Sequence, residues 1–114
     1  MVSDTNDNND PVLMEAKLLE MISSLRQLIH SNQQLDEALL EDHDEDLLQA
    51  LEENEYVILR KRNEARVLAE NLRRHGVNIS LDDKVPGYNG SVVLRKIKEK
   101  QKDNSSNQNG GLYL

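Results

Sequence analysis

The residue types that could do chemistry are few in this chain. Asp42, His43, Asp44, Glu45 and Asp46 form a run with metal-ligating side chains. Such a run beside a helix start complements the positive end of the helix dipole, so it is read as a solvated cap and not as a metal centre. His30 and His75 stand near no nucleophile in the sequence. With no cysteine, disulfides, thiolate metal sites and cysteine nucleophiles are excluded, and no Gly-rich phosphate loop of recognisable spacing is present. The basic run Arg95-Lys96-Ile97-Lys98-Glu99-Lys100-Gln101-Lys102 lacks the interleaved aromatics on which bases stack. It reads as a solvated helix face or as a contact for an acidic protein, with a nucleic-acid accessory role as an alternative. No enzyme, cofactor or metal is expected.

The elements around the acidic run carry more information. Before it, Met14, Leu18, Met21, Leu25, Leu28, Asn32, Leu35 and Leu39 recur at intervals of four and three; after it, Leu47, Leu51, Asn54, Ile58, Lys61, Ala65, Leu68 and Leu72 do the same. Folding the chain at His43 sets Leu39 beside Leu47, Leu35 beside Leu51, Leu28 beside Ile58 and Leu18 beside Leu68. All of these pairs share one midpoint, so a single antiparallel register satisfies the seam. The same fold brings Asn32 opposite Asn54, and two amides that meet lose less than an amide facing leucine, which makes the pair a register pin. The alternative is that both are solvated at the edge of the stripe. Lys61 opposite Leu25 covers that leucine with its aliphatic stem. Leu19, Ile22, Ile29 and Leu40 flank the seam and are expected to stay partly exposed. A third element should cover them: the C-terminal segment, a second copy of the chain, or another helical protein. Ile22, Ile29, Asn32, Leu40 and Asn54 are therefore the candidate partner-binding residues.

A chain of 114 residues with no Phe or Trp and three Tyr cannot fill a thick core, so an elongated helical molecule is favoured. The net charge of −7 is unevenly spread. Through Leu59 there are two basic residues, Lys17 and Arg26, against fifteen acidic ones, whereas Arg60 to Lys102 holds twelve basic against five acidic. The charge separates along the chain. No apolar run approaches a membrane span and Met1 to Asp10 is acidic, which leads to the expectation of a soluble protein of the cytoplasm and nucleus.

In order, residues 1–9 read as a disordered acidic leader and 10–76 as an all-α, antiparallel two-helix coiled-coil hairpin. Asp10-Pro11 has the character of a helix start, and Arg73-Arg74-His75-Gly76 that of a helix end. In 77–102, Val77, Ile79 and Leu81 alternate as in an extended segment that packs back on the hairpin. The turn Pro86-Gly87-Tyr88-Asn89-Gly90 follows, and Ser91 would cap a short basic helix. Residues 103–114 read as a disordered tail ending in Leu112-Tyr113-Leu114. Two apolar anchors, a phenol and a carboxylate on a tether suit insertion into a pocket with a lysine at its base.

The hairpin resembles the small fungal stress-induced chaperones dedicated to assembly of the proteasome regulatory-particle base, also described as translation-machinery-associated. The resemblance rests on Ser24-Leu25, Ser31-Asn32 and Leu35 before the acidic joint, and on Glu53-Asn54-Glu55, Val57, Leu59 and Arg66 after it. It implies a non-enzymatic chaperone that holds the N-terminal coiled coil of a proteasomal AAA ATPase subunit. The terminal triplet is similar to the hydrophobic-Tyr-X tails by which those ATPases dock into the core particle. A structural coiled-coil subunit of an unrelated complex is the other reading.

Overall fold

The computed structural model describes residues 10–101. Two long helices, α1 (Pro11–Glu41) and α2 (Glu45–Arg74), pack against each other, and a shorter helix, α3, occupies 92–101. Among the described residues there is no strand, and the molecule extends over 61 × 36 × 29 Å. The fold is all-α, as the leucine spacing predicts.

Local chemistry sets the helix ends. The Asp10 carboxylate accepts from the Val12 N–H at 2.9 Å, and Pro11 takes the first helical position, where its missing N–H costs nothing. Glu41 ends α1 and a three-residue joint follows. Asp44 then caps α2 by accepting from the N–H groups of Asp46 and Leu47, with Glu45 and Asp46 in the first turn beside the positive dipole end. One carboxylate of the acidic run is thus spent on starting a helix. At the other end, Arg73 and Arg74 occupy the last turn and Gly76 adopts φ +84°. The Val77 N–H reaches the Leu72 carbonyl and the Gly76 N–H that of Arg73, which together make a Schellman cap.

Packing between the helices follows two heptad lines. On α2 the buried line is Leu51, Ile58, Ala65 and Leu72, spaced by seven. Half-buried residues flank it on both sides: Leu47, Asn54, Lys61 and Leu68 on one, Leu48, Glu55, Arg62 and Ala69 on the other. On α1, Met14, Leu18, Met21, Leu25 and Leu39 are buried as expected. Ile22, Ile29 and Asp36 are buried too.

That second line on α1 departs from the sequence expectation, and its cause is the segment after Gly76. Residues 77–91 form a strap that runs back along one flank of the hairpin. Val77, Ile79, Leu81 and Val85 pack against the core cluster, and Tyr88 joins it. Ile22 and Ile29 are 4% and 1% exposed, so they belong to the core and not to a surface left free for a partner. For Ile22 and Ile29 the cover is the chain's own C-terminal segment, whereas Leu19 and Leu40 stay exposed as the sequence predicts.

Candidate partner interface

The strap is held by a polar cluster at the middle of the hairpin. Asn32 has no exposed surface, and its amide nitrogen lies 3.3 Å from the Leu51 carbonyl, 3.3 Å from Glu55 Oε2 and 3.2 Å from the Tyr88 hydroxyl. Tyr88 donates to Glu55 Oε2 at 2.5 Å. Glu55 Oε1 accepts from the Ser91 N–H at 3.3 Å. Gly90, at φ +95°, makes this approach possible, since a Cβ there would meet Glu55 Oε1 at 3.3 Å in a backbone conformation that side chains disfavour.

Asp36, on the buried line of α1, serves as a capping group for α3. Its carboxylate accepts from the Ser91 hydroxyl at 2.5 Å and from the Val92 and Val93 N–H groups at 3.0 and 3.4 Å. Ser91 Oγ in turn accepts from the Leu94 N–H at 3.0 Å. Ser91 thus caps α3 as its sequence position predicts, and α1 supplies a second cap from outside the helix. Lower on the strap, Arg26 donates to the Lys84 carbonyl and Arg62 to that of Tyr88. Burial, reinforced by the hydrogen bond to Glu55, raises the Tyr88 phenol well above its ordinary value of 10.0. The phenol therefore keeps its proton, and its role as donor to Glu55, to higher pH than an exposed tyrosine.

The expected partner residues fall into different places. The hydrogen-bonding groups around the Asn32 amide are Leu51, Glu55 and Tyr88, and Asn54 is not among them. Glu55 and Tyr88 approach from the strap side and take up the amide, whereas Asn54 lies half-buried on the opposite flank of α2. The Asn32 oxygen has no hydrogen-bond partner among the described residues. Asn32, with no exposed surface, fastens the strap. Leu40 is 55% exposed near the joint. Leu112, Tyr113 and Leu114 lie outside the described residues.

Sequence reasoning missed Asp36, Glu55, Arg62, Tyr88 and Ser91 as a unit. One signal was available: Asp36 continues the Ile22–Ile29 line at the same seven-residue spacing, and a carboxylate in an apolar line calls for donors from elsewhere in the chain.

The strap occupies one flank and leaves the other to the hairpin alone. That open flank carries Leu28 and Leu35 from α1 with Asn54, Lys61 and Leu68 from α2, all half-buried. Lys17, Met21, Asn63, Glu64, Val67 and Leu68 line a shallow depression toward its open end. A two-helix flank of this kind, with half-buried leucines between polar and charged neighbours, is suited to an amphipathic third helix. Among the described residues no helix is long and apolar enough to cross a membrane, and no group of three or more His, Asp or Glu side chains could hold a metal ion.

The chain matches the family model of the TMA17 helical domain over residues 11–79, which is more than half of its length. The TMA17 family is that of the ATPase-dedicated proteasome assembly chaperones. The matched region contains the whole hairpin and runs to Ile79, into the start of the strap. No curated protein and no solved structure matches the chain.

Proposed function

Because the chain belongs to the TMA17 helical-domain family, we propose that it is a non-enzymatic assembly chaperone of the proteasome regulatory-particle base that holds the N-terminal coiled coil of one ATPase subunit along its open flank. The observation that carries this reading is the one-sided cover of the hairpin. The strap closes the Ile22–Ile29 flank, and the Leu28–Leu35–Leu68 flank, with Asn54 and Lys61 beside it, stays half-buried with no third element over it among the described residues. A helix laid there completes a three-helix seam. The half-buried leucines supply affinity, while Lys61 on this flank and Lys17 toward its open end favour a partner with acidic residues beside its apolar stripe.

Calorimetric titration with purified N-terminal coiled-coil fragments of each proteasomal ATPase tests the reading. One fragment is expected to bind, and Lys61→Glu should weaken it by about tenfold, a loss of roughly 1.4 kcal/mol. In cells the chaperone should co-purify with free base precursors and be missing from mature proteasomes. Binding to none of the fragments, or stable residence in the mature particle, would overturn the proposal. The latter outcome would favour a structural subunit.

A further inference from the structure

One long surface of α2 runs beside the strap and stays exposed. On it, Glu45, Glu52, Leu59, Arg66 and Arg73 recur at intervals of seven, and all five are exposed. The line sits one residue on from the buried Leu51–Leu72 line, about 100° round the helix on the strap side, so it faces away from α1 while Arg66 and Arg73 border the strap at Ile79–Asp82. Leu59 is 67% exposed and the neighbouring Tyr56 69%, an apolar pair with no cover at the centre of α2. Among the described residues no ion pair uses Glu45, Glu52 or Arg66. Arg73 pairs with Glu70 on its own helix, both largely solvated.

The order of charges along this line is acidic, acidic, apolar, basic, basic, with Leu59 at its midpoint. Turned end for end, the line meets its own complement: Glu45 faces Arg73, Glu52 faces Arg66, and Leu59 faces Leu59. A parallel arrangement would stack like charges at four of the five positions.

We infer that α2 carries a self-complementary docking face, and that the chain forms an antiparallel two-fold dimer centred on Leu59 through the Glu45–Arg73 line. The arrangement is isologous: each pair of contacts occurs twice, related by the dyad through Leu59. The apolar centre of Tyr56 and Leu59 is small, so the dimer is reversible and depends on the flanking charges. Rising salt screens those charges and weakens it. The face differs from the open flank, so a dimer can hold an ATPase coiled coil on each of its two copies.

Sedimentation of the full chain at low salt tests this directly. The wild type should shift toward twice its monomer mass as concentration rises, and back as salt is added. Glu52→Arg alone and Arg66→Glu alone should each weaken association by at least about tenfold, since each places like charges together twice across the dyad. Combining Glu52→Arg with Arg66→Glu should restore it. Circular dichroism should show unchanged helicity in all three variants, because both residues are exposed. The chain has no cysteine of its own, so Leu59→Cys should crosslink to itself through a short bis-maleimide, whereas Glu52→Cys should crosslink only when mixed with Arg66→Cys. A wild type that stays monomeric at low salt overturns the inference. So does a double variant that fails to recover, which would assign the single-variant losses to contact with a different surface. Either failure leaves the proposed chaperone function untouched, because that rests on the opposite flank and on binding of ATPase fragments.

Discussion

At the scale of single residues, the polar cluster of Asn32, Glu55 and Tyr88 shows how a buried amide can be put to use. An amide on a leucine seam is costly unless its hydrogens find acceptors. Here a backbone carbonyl, a carboxylate and a phenol surround it. Removing the phenol in Tyr88→Phe should lower stability by about 1–2 kcal/mol near neutral pH, the usual effect of losing a hydrogen bond to a charged acceptor. The pH dependence has a definite sign. The folded-state phenol is raised above its ordinary 10.0, so its contribution is fully present below that value and is lost as pH rises toward the folded-state value. Urea unfolding at pH 8 and pH 11 should show the gap between wild type and Tyr88→Phe narrowing at the higher pH. A gap of constant width would mean that the phenol does not hold its proton more tightly in the folded state.

At the scale of elements, α1 is buried on two sides, against α2 and under the strap. From the seam alone, Ile22 and Ile29 look like a free face whose loss the fold should tolerate. Their burial reverses that expectation. Truncating a buried isoleucine to a small side chain costs about 2–5 kcal/mol, and a hydroxyl without a partner adds to it. The double variant Ile22→Ser/Ile29→Ser should therefore unfold the strap and lower the melting temperature steeply. Leu40→Ser, on an exposed position of the same helix, should shift stability by no more than about 0.5 kcal/mol. Thermal melts followed by circular dichroism separate the two. A double variant as stable as Leu40→Ser would place Ile22 and Ile29 outside the core.

At the scale of the whole molecule, the strap makes the hairpin's two flanks unequal. Truncation after Gly76 would remove the cover from Ile22, Ile29 and the Asn32 amide together. It would also strip Asp36 and Glu55 of the donors that Tyr88, Ser91 and the start of α3 supply. The truncated hairpin should remain helical through its Leu51–Leu72 line. It should expose a new apolar patch, bind a hydrophobic dye and self-associate. Dye fluorescence compared with the full chain is the measurement, and equal fluorescence would mean that the strap does not cover that flank in solution. The separation of charge along the sequence becomes spatial in the fold, since the acidic joint lies at one tip and Arg73 and Arg74 at the other end of α2.

The sequence by itself determined the helices, their ends and their antiparallel pairing. Asp10-Pro11, Asp44 and the Arg73–Gly76 stretch are local signals, fixed by hydrogen bonds that a few neighbouring residues make among themselves. Heptad spacing adds one global constraint, because only one register places leucines against leucines along both helices. The tertiary structure alone decided which flank the strap covers, and with it the fate of Ile22, Ile29 and Asn32. The alternating Val77, Ile79 and Leu81 carry no mark of their own for which edge of the seam they choose; the mark lies on α1, in the Ile22–Ile29–Asp36 line. The choice depends on contacts tens of residues apart: Ser91 against Asp36, Tyr88 against Glu55, Lys84 against Arg26. Those groups find each other only after the hairpin has brought α1 and α2 together, so the sequence signals only that Asp36, in line with Ile22 and Ile29, needs donors, and not which residues supply them.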